Sequence, residues 1–161
     1  VRFTWPPMAR PSVEAFSSRL PGQAVTAVDR RGKYVVMPLS SGDTLLVHLK
    51  MTGDLRVVGW DQPPHRHDRV EFDLDNGQQL RFNDPRKFGR LYLTNDPASI
   101  IGPLGPEPLD GAFDKSAFLA RFERRVGRIK ALLMDQTFIA GVGNIYADEA
   151  LFLAGIHPLL N

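Results

Sequence analysis

Gly102-Pro103-Leu104-Gly105-Pro106-Glu107-Pro108 divides this chain into two kinds of sequence. Three prolines and two glycines in seven residues sustain neither helix nor strand, because proline fixes φ and removes a backbone donor. Upstream, short runs rich in Val, Leu, Phe and Tyr alternate in polarity. Residues 24–28, 34–39, 44–49, 55–58, 70–74, 79–83 and 89–93 each read as a strand. Ser41-Gly42-Asp43 and Asp75-Asn76-Gly77 are hairpin signals between them, since Gly and Asn tolerate positive φ. A short helix over 12–19 precedes the strands, started by Pro11 and Ser12 and closed by Pro21-Gly22. Downstream the pattern is helical. Asp114 is a good N-cap, and Phe118, Phe122, Val126 and Ile129 recur at helical spacing. A second helix is expected over 128–134, and a third over 145–154, stopped by Gly155 with Pro158 beyond. The reading is α+β: an antiparallel β-sandwich or barrel over 1–94, a connector over 95–112 and a helical region over 113–161.

Composition narrows the chemistry. The chain of 161 residues contains no cysteine, which removes disulfides, thiol nucleophiles and Cys-ligated zinc. No apolar run is long enough to span a bilayer, and the first ten residues have no apolar signal-peptide core. The first residue is Val, as expected of a fragment or an unusual start. Net charge is only +2, yet the 20 basic residues comprise fifteen Arg and five Lys. Arginine suits forked recognition of phosphate or carboxylate, and a GC-rich genome also favours it. Position is more informative. Basic clusters fall at 30–33, 81–90 and 121–130, where they read as phosphate-facing patches or as solvated faces.

Several local motifs stand out. Gly141-Val142-Gly143-Asn144 precedes a helix, so its backbone can approach an anion at the helix N-terminus; a plain tight turn capped by Asn144 is the alternative. In Asn83-Asp84-Pro85-Arg86-Lys87-Phe88-Gly89, two cations stand beside an aromatic, as is needed to hold phosphates and push a ring between base pairs. Strand parity sets Phe88, Arg90 and Tyr92 opposite Leu91 and Leu93; the alternative folds Phe88 into the core. Met51 follows Leu45, Val47 and Leu49 on one strand face, so a core methionine is the default and an apolar wedge the sharper reading. His65-Arg66-His67-Asp68 is a weak metal signal and a more natural phosphate-facing turn beside Arg69. Lys33 reads as a phosphate contact in preference to an amine nucleophile. His48 and His157 read as structural. Asp148 and Glu149 offset the dipole of the last helix.

Taken together, Arg30-Arg31-Gly32-Lys33-Tyr34, His48-Leu49-Lys50-Met51-Thr52-Gly53, the Asn83–Gly89 motif, Leu104-Gly105-Pro106-Glu107-Pro108-Leu109 and the run from Ile129-Lys130 through Asp135-Gln136 to Glu149 resemble the formamidopyrimidine-DNA glycosylases. These are relatives of endonuclease VIII, and the motifs occur in the family's order. The resemblance implies base-excision repair: bending duplex DNA, flipping an oxidised purine (8-oxoguanine or a formamidopyrimidine), cutting its glycosidic bond and cleaving the strand as an abasic-site lyase. It implies a β-sandwich followed by a helix-two-turn-helix. It assigns Met51, Arg86 and Phe88 to the void left by the flipped base. It assigns phosphate and DNA contacts to Lys33, His67, Arg86, Lys130, Gly143 and Asn144. The implied partner is duplex DNA with oxidised bases or abasic sites, bound by a monomer in the bacterial cytoplasm at the nucleoid, with no membrane role.

The departures are equally informative. The family starts with Pro-Glu, the amine nucleophile and its proton-handling neighbour, and ends in a four-Cys zinc finger. This chain has neither, so no catalytic residue and no metal or cofactor is expected in it. Lys50 stands where the family more often has glycine or another small residue. The expectation is a fragment, lacking the first strand and helix of the sandwich, that binds DNA without lyase chemistry. A non-enzymatic helix-two-turn-helix binding module and an ordinary β-sandwich with a basic tail are the alternatives.

Overall fold

The computed structural model describes residues 1–123 and 125–160. The chain forms two compact units, Val1–Pro97 and Ala98–Asn161.

In the first unit two sheets face each other. One carries β1 (Arg2–Phe3), β7 (Asp68–Asp73), β8 (Gln78–Asn83) and β6 (Asp54–Gly59), in that order. The other carries β2 (Ala9–Arg10), β9 (Arg90–Thr94), β5 (Thr44–His48), β4 (Tyr34–Pro38) and β3 (Asp29–Arg31). All pairings are antiparallel except β2 with β9, which is parallel and so departs from a purely antiparallel sandwich. Alternation sets the faces: Leu91 and Leu93 are buried while Arg90 and Tyr92 are half-exposed. Those leucines join Met8, Phe16, Met37, Leu45, Val47, Val70 and Phe82 in one core. Helix α1 (Val13–Arg19) adds Phe16, edge-on to Phe3 at 5.2 Å, and Ser12 Oγ caps it by accepting from the Ala15 N–H.

Residues 24–28 do not form the expected strand. Only the bridge Val25↔Leu39 forms there. The opposing segment contains Pro38, which accepts from the Thr26 N–H but has no N–H to return. The two-residue strands β1 and β2 lie in a segment that the sequence reads as carrying only a helix.

The second unit begins with α2 (Ala98–Ile101), a single turn inside the stretch read as a connector, ended at Gly102. Helix α3 (Lys115–Ala120) starts at Asp114, whose carboxylate accepts from the Ala117 N–H. It is shorter than the phenylalanine spacing implies. Val126 is 98% exposed, while Phe118, Phe122 and Ile129 from that run turn inward, Ile129 as the first residue of the next helix. Phe118 and Phe122 pack edge-to-face against the fully buried Phe138 at 6.3 and 4.9 Å. Arg121 donates to the Phe138 and Thr137 carbonyls, so the chain leaves helix geometry at the point where its guanidinium satisfies them. Helices α4 (Ile129–Met134) and α5 (Asn144–Ala154) follow, and Gly155 ends α5 in the left-handed region at φ 66°. Among the described residues no helix is long and apolar enough to cross a membrane.

Candidate nucleic-acid interface

Two turns of the first unit carry the residues singled out as wedges. The β5–β6 turn holds Lys50, Met51, Thr52 and Gly53; the β8–β9 turn holds Asp84 to Gly89. Lys50 lies at φ 58° and Lys87 at φ 62°, the only non-glycine residues with positive φ among those described. Each immediately precedes a wedge residue, Met51 or Phe88. A left-handed L-residue costs about 1–2 kcal/mol, which concentrates backbone strain at these two points. It also explains why glycine, which lacks a Cβ, suits position 50. The reversal at Lys50 breaks the strand parity that had predicted a buried Met51. Met51 is 71% exposed and Phe88 46% exposed, so neither belongs to the core.

The three wedge candidates touch. Arg86 donates to Met51 Sδ at 3.4 Å, and its guanidinium carbon lies 4.9 Å from the centre of the Phe88 ring. Beneath them sits Asp84, wholly buried, a residue whose role sequence reasoning missed. Its Oδ1 accepts from the Thr52 hydroxyl at 2.6 Å and the Arg86 N–H at 3.1 Å, and its Oδ2 from the Gly89 N–H at 2.8 Å. Burial pulls the carboxyl upward, but these hydrogen bonds together hold it below its ordinary value. Lys87 leans the other way, with its ammonium 4.0 Å from the centre of the Trp5 ring.

The turn carrying His67 joins the same surface through Asp84. The Asp84 N–H donates to the His67 carbonyl, and Arg69 Nε donates to the Asp84 carbonyl at 2.9 Å. Both imidazole nitrogens of His67 face arginines, Nε2 toward Arg66 at 2.9 Å and Nδ1 toward Arg69 at 3.0 Å. A neutral ring has one acceptor nitrogen, so only one of the two contacts is a hydrogen bond at a time. Desolvation and the two arginine charges lower the His67 pKa. Asp68, buried next to it, is committed to Asn83, the His65 N–H and the charges of Arg56 and Arg81.

Lys33 follows Gly32 in the β3–β4 turn, and its pKa is lowered by desolvation and by the Lys50 charge. His48, read as structural, sits between these cations. It accepts the Lys50 N–H on Nδ1 at 3.0 Å and lies edge-on to Tyr34. Burial, Lys50 and Lys33 push it down to about 4, so it is neutral at physiological pH.

The second unit holds Lys130, Gly143 and Asn144. Lys130 lies in the first turn of α4, and its ammonium pairs with Asp148 of α5 at 2.7 Å. The loop before α5 turns at Gly141, φ 82°. Gln136 clamps it, donating to the Val142 carbonyl at 2.8 Å and accepting from the Gly141 N–H at 3.1 Å. Gly143 is the N-cap, so Asn144 is the first helical residue and not the capping side chain of a plain turn. The opening amides of α5 thus point outward beside an exposed Asn144, an arrangement suited to an anion. The first amides of α4 are occupied instead: Ile129 and Lys130 donate to the Leu160 and Pro158 carbonyls.

Residues 1–91 match the formamidopyrimidine-DNA glycosylase N-terminal domain, and residues 104–160 match the H2TH domain of the same enzymes. The chain belongs to the formamidopyrimidine-DNA glycosylase family. The family's enzyme from Protochlamydia amoebophila is 48% identical over 157 residues, covering 97% of this chain and 57% of that protein. That from Herpetosiphon aurantiacus is 49% identical over 150 residues, covering 92% and 55%. Among solved structures, the Lactococcus lactis glycosylase in complex with DNA containing an abasic site superposes with a TM-score of 0.88 at 35% identity, covering 98% of this chain and 59% of that one. The same enzyme with DNA containing FAPY-dG gives 0.89 at 34%, covering 98% and 61%. The chain therefore spans a little over half the length of the glycosylases it matches.

Proposed function

We propose that these residues form the DNA-gripping and base-stack-filling part of an oxidised-purine glycosylase and abasic-site lyase. The observation that carries this reading is the contact group Met51, Arg86 and Phe88, exposed together on two strained turns above the buried Asp84. A flipped nucleotide leaves a void, and refilling it takes apolar and cationic side chains held outward by a rigid base. Lys33 and Arg86 supply cations for phosphates on the first unit, and His67 joins them as a ring flanked by the Arg66 and Arg69 guanidiniums. Lys130 of α4, together with Gly143 and Asn144 at the start of α5, offers a second grip. Relatives solved with abasic and FAPY-dG DNA support duplex DNA as the partner.

The 161 residues have no Pro-Glu pair at their start, so we assign them binding without strand cleavage. Borohydride trapping on abasic duplex is the direct test. No covalent adduct is expected. An adduct would show that another amine, such as Lys33 or the Val1 α-amino group, does the chemistry. Fluorescence anisotropy tests the binding: the chain should prefer a duplex containing a tetrahydrofuran abasic analogue over the undamaged duplex. Equal affinity for both, or tighter binding to single strands, would favour a plain basic surface.

A further inference from the structure

The contacts among Met51, Arg86 and Phe88 are exposed and made by flexible side chains, so they do not by themselves fix two turns against each other. Two contacts anchored on the buried side chains of Asp84 and Phe82 do. The first is polar. Asp84 reaches across 32 residues of sequence to the Thr52 hydroxyl at 2.6 Å, while also holding the Arg86 and Gly89 amides. Each bond lands beside a wedge: Thr52 follows Met51, Arg86 is itself one, and Gly89 follows Phe88. The second is apolar. The buried Phe82 ring lies under both turns, so close that a Cβ at Gly53 would stand 2.9 Å from its Cζ and one at Gly89 only 2.3 Å. Only residues without a Cβ let both turns close on that ring.

We propose that Thr52 and Asp84 are positioning residues that lock the Met51 turn and the Arg86–Phe88 turn into one rigid body, so that the three side chains enter the base stack together. This rests on the wedge reading above. The ordering of two separate turns is then completed during folding instead of at the DNA, which is the physical content of preorganisation. Thr52 supplies the one side-chain hydroxyl in the link and is exposed, so its replacement tests the link without opening the core.

The test uses the whole chain, a duplex with a central tetrahydrofuran abasic analogue and the undamaged duplex of the same sequence. Thr52→Val removes the hydroxyl at nearly constant shape; Thr52→Ser restores it, and Thr52→Ala is the fallback should valine not fold. Thr52→Val should lower the preference for the abasic duplex about fivefold, from loss of a hydrogen bond to a charged group. Affinity for undamaged duplex should stay unchanged, and Thr52→Ser should recover the preference. Met51→Ala and Phe88→Ala should be non-additive in the parent chain and additive in the Thr52→Val background. A folded Thr52→Val chain that keeps both the abasic preference and the non-additivity overturns the lock. Should Met51→Ala and Phe88→Ala leave the preference untouched, the wedge reading fails and takes this inference with it.

Discussion

At the scale of single residues, the Lys130 ammonium already has an anion. Asp148 sits 2.7 Å away, and both side chains are partly exposed. A phosphate arriving at Lys130 must compete with that carboxylate. Asp148→Asn should therefore tighten DNA binding, by about twofold to fivefold at low salt given the modest worth of exposed pairs. The gain should shrink as added salt screens it, which anisotropy titrations at two ionic strengths would show. His48 gives a second prediction. Its folded-state value of about 4 lies below the ordinary histidine value of 6.5. Above 6.5 both folded and unfolded states are neutral and the group is silent. Between 6.5 and 4 the unfolded chain takes up a proton that the folded chain refuses, so stability falls as pH falls, then levels off. Thermal melts across this window should show a loss that His48→Gln lacks. A parallel decline in both chains would remove His48 as the cause.

At the scale of elements, the turns around Phe82 make a steric prediction. Gly89→Ala would set a methyl 2.3 Å from the ring carbon, and the ring is fully buried with nowhere to go. A loss of about 1–3 kcal/mol is expected, as for other overpacked core sites, read from the denaturation midpoint. Strands flanked by Asn-Gly or Ser-Gly-Asp turns were legible beforehand, because local turn chemistry and alternation specify them together. So were the starts of α1 and α3, where Ser12 and Asp114 cap the first amides. The two-residue strands β1 and β2 were not, since they exist only by pairing with edges about 70 and 80 residues away. The same holds for the site. The motif residues were visible as cations beside apolar side chains. Asp84 looked like part of a turn, because its significance lies in a hydroxyl 32 positions upstream. Met51 was misplaced by local parity, since nothing in a strand pattern anticipates a lysine at φ 58°.

At the scale of the whole molecule, the net charge of +2 is a balance of 20 basic against 18 acidic residues. Among the described residues three carboxylates turn inward: Asp68 and Glu71 are buried against Arg81, Arg56 and Arg2, and Asp84 serves two turns. The permanent cations assigned to phosphates are Lys33, Arg86 and Lys130. Three such contacts imply a log–log salt slope near −2.7, or roughly a fortyfold loss of affinity between 50 and 200 mM salt. A slope near zero would mean that these cations do not meet the backbone.

The stacking of Lys87 on Trp5 gives the molecule an optical property. The chain has two tryptophans, and Trp60 is 58% exposed in the turn after β6, at the opposite end of that strand from the Met51 turn. Trp5 instead emits beneath an ammonium 4.0 Å from its ring centre, and that ammonium belongs to the residue just before Phe88. Any rearrangement of the Arg86–Phe88 turn moves the charge relative to the indole and changes its emission. Intrinsic fluorescence, without a label, therefore follows the turn itself, and Lys87→Met should abolish the response while leaving the light from Trp60 in place.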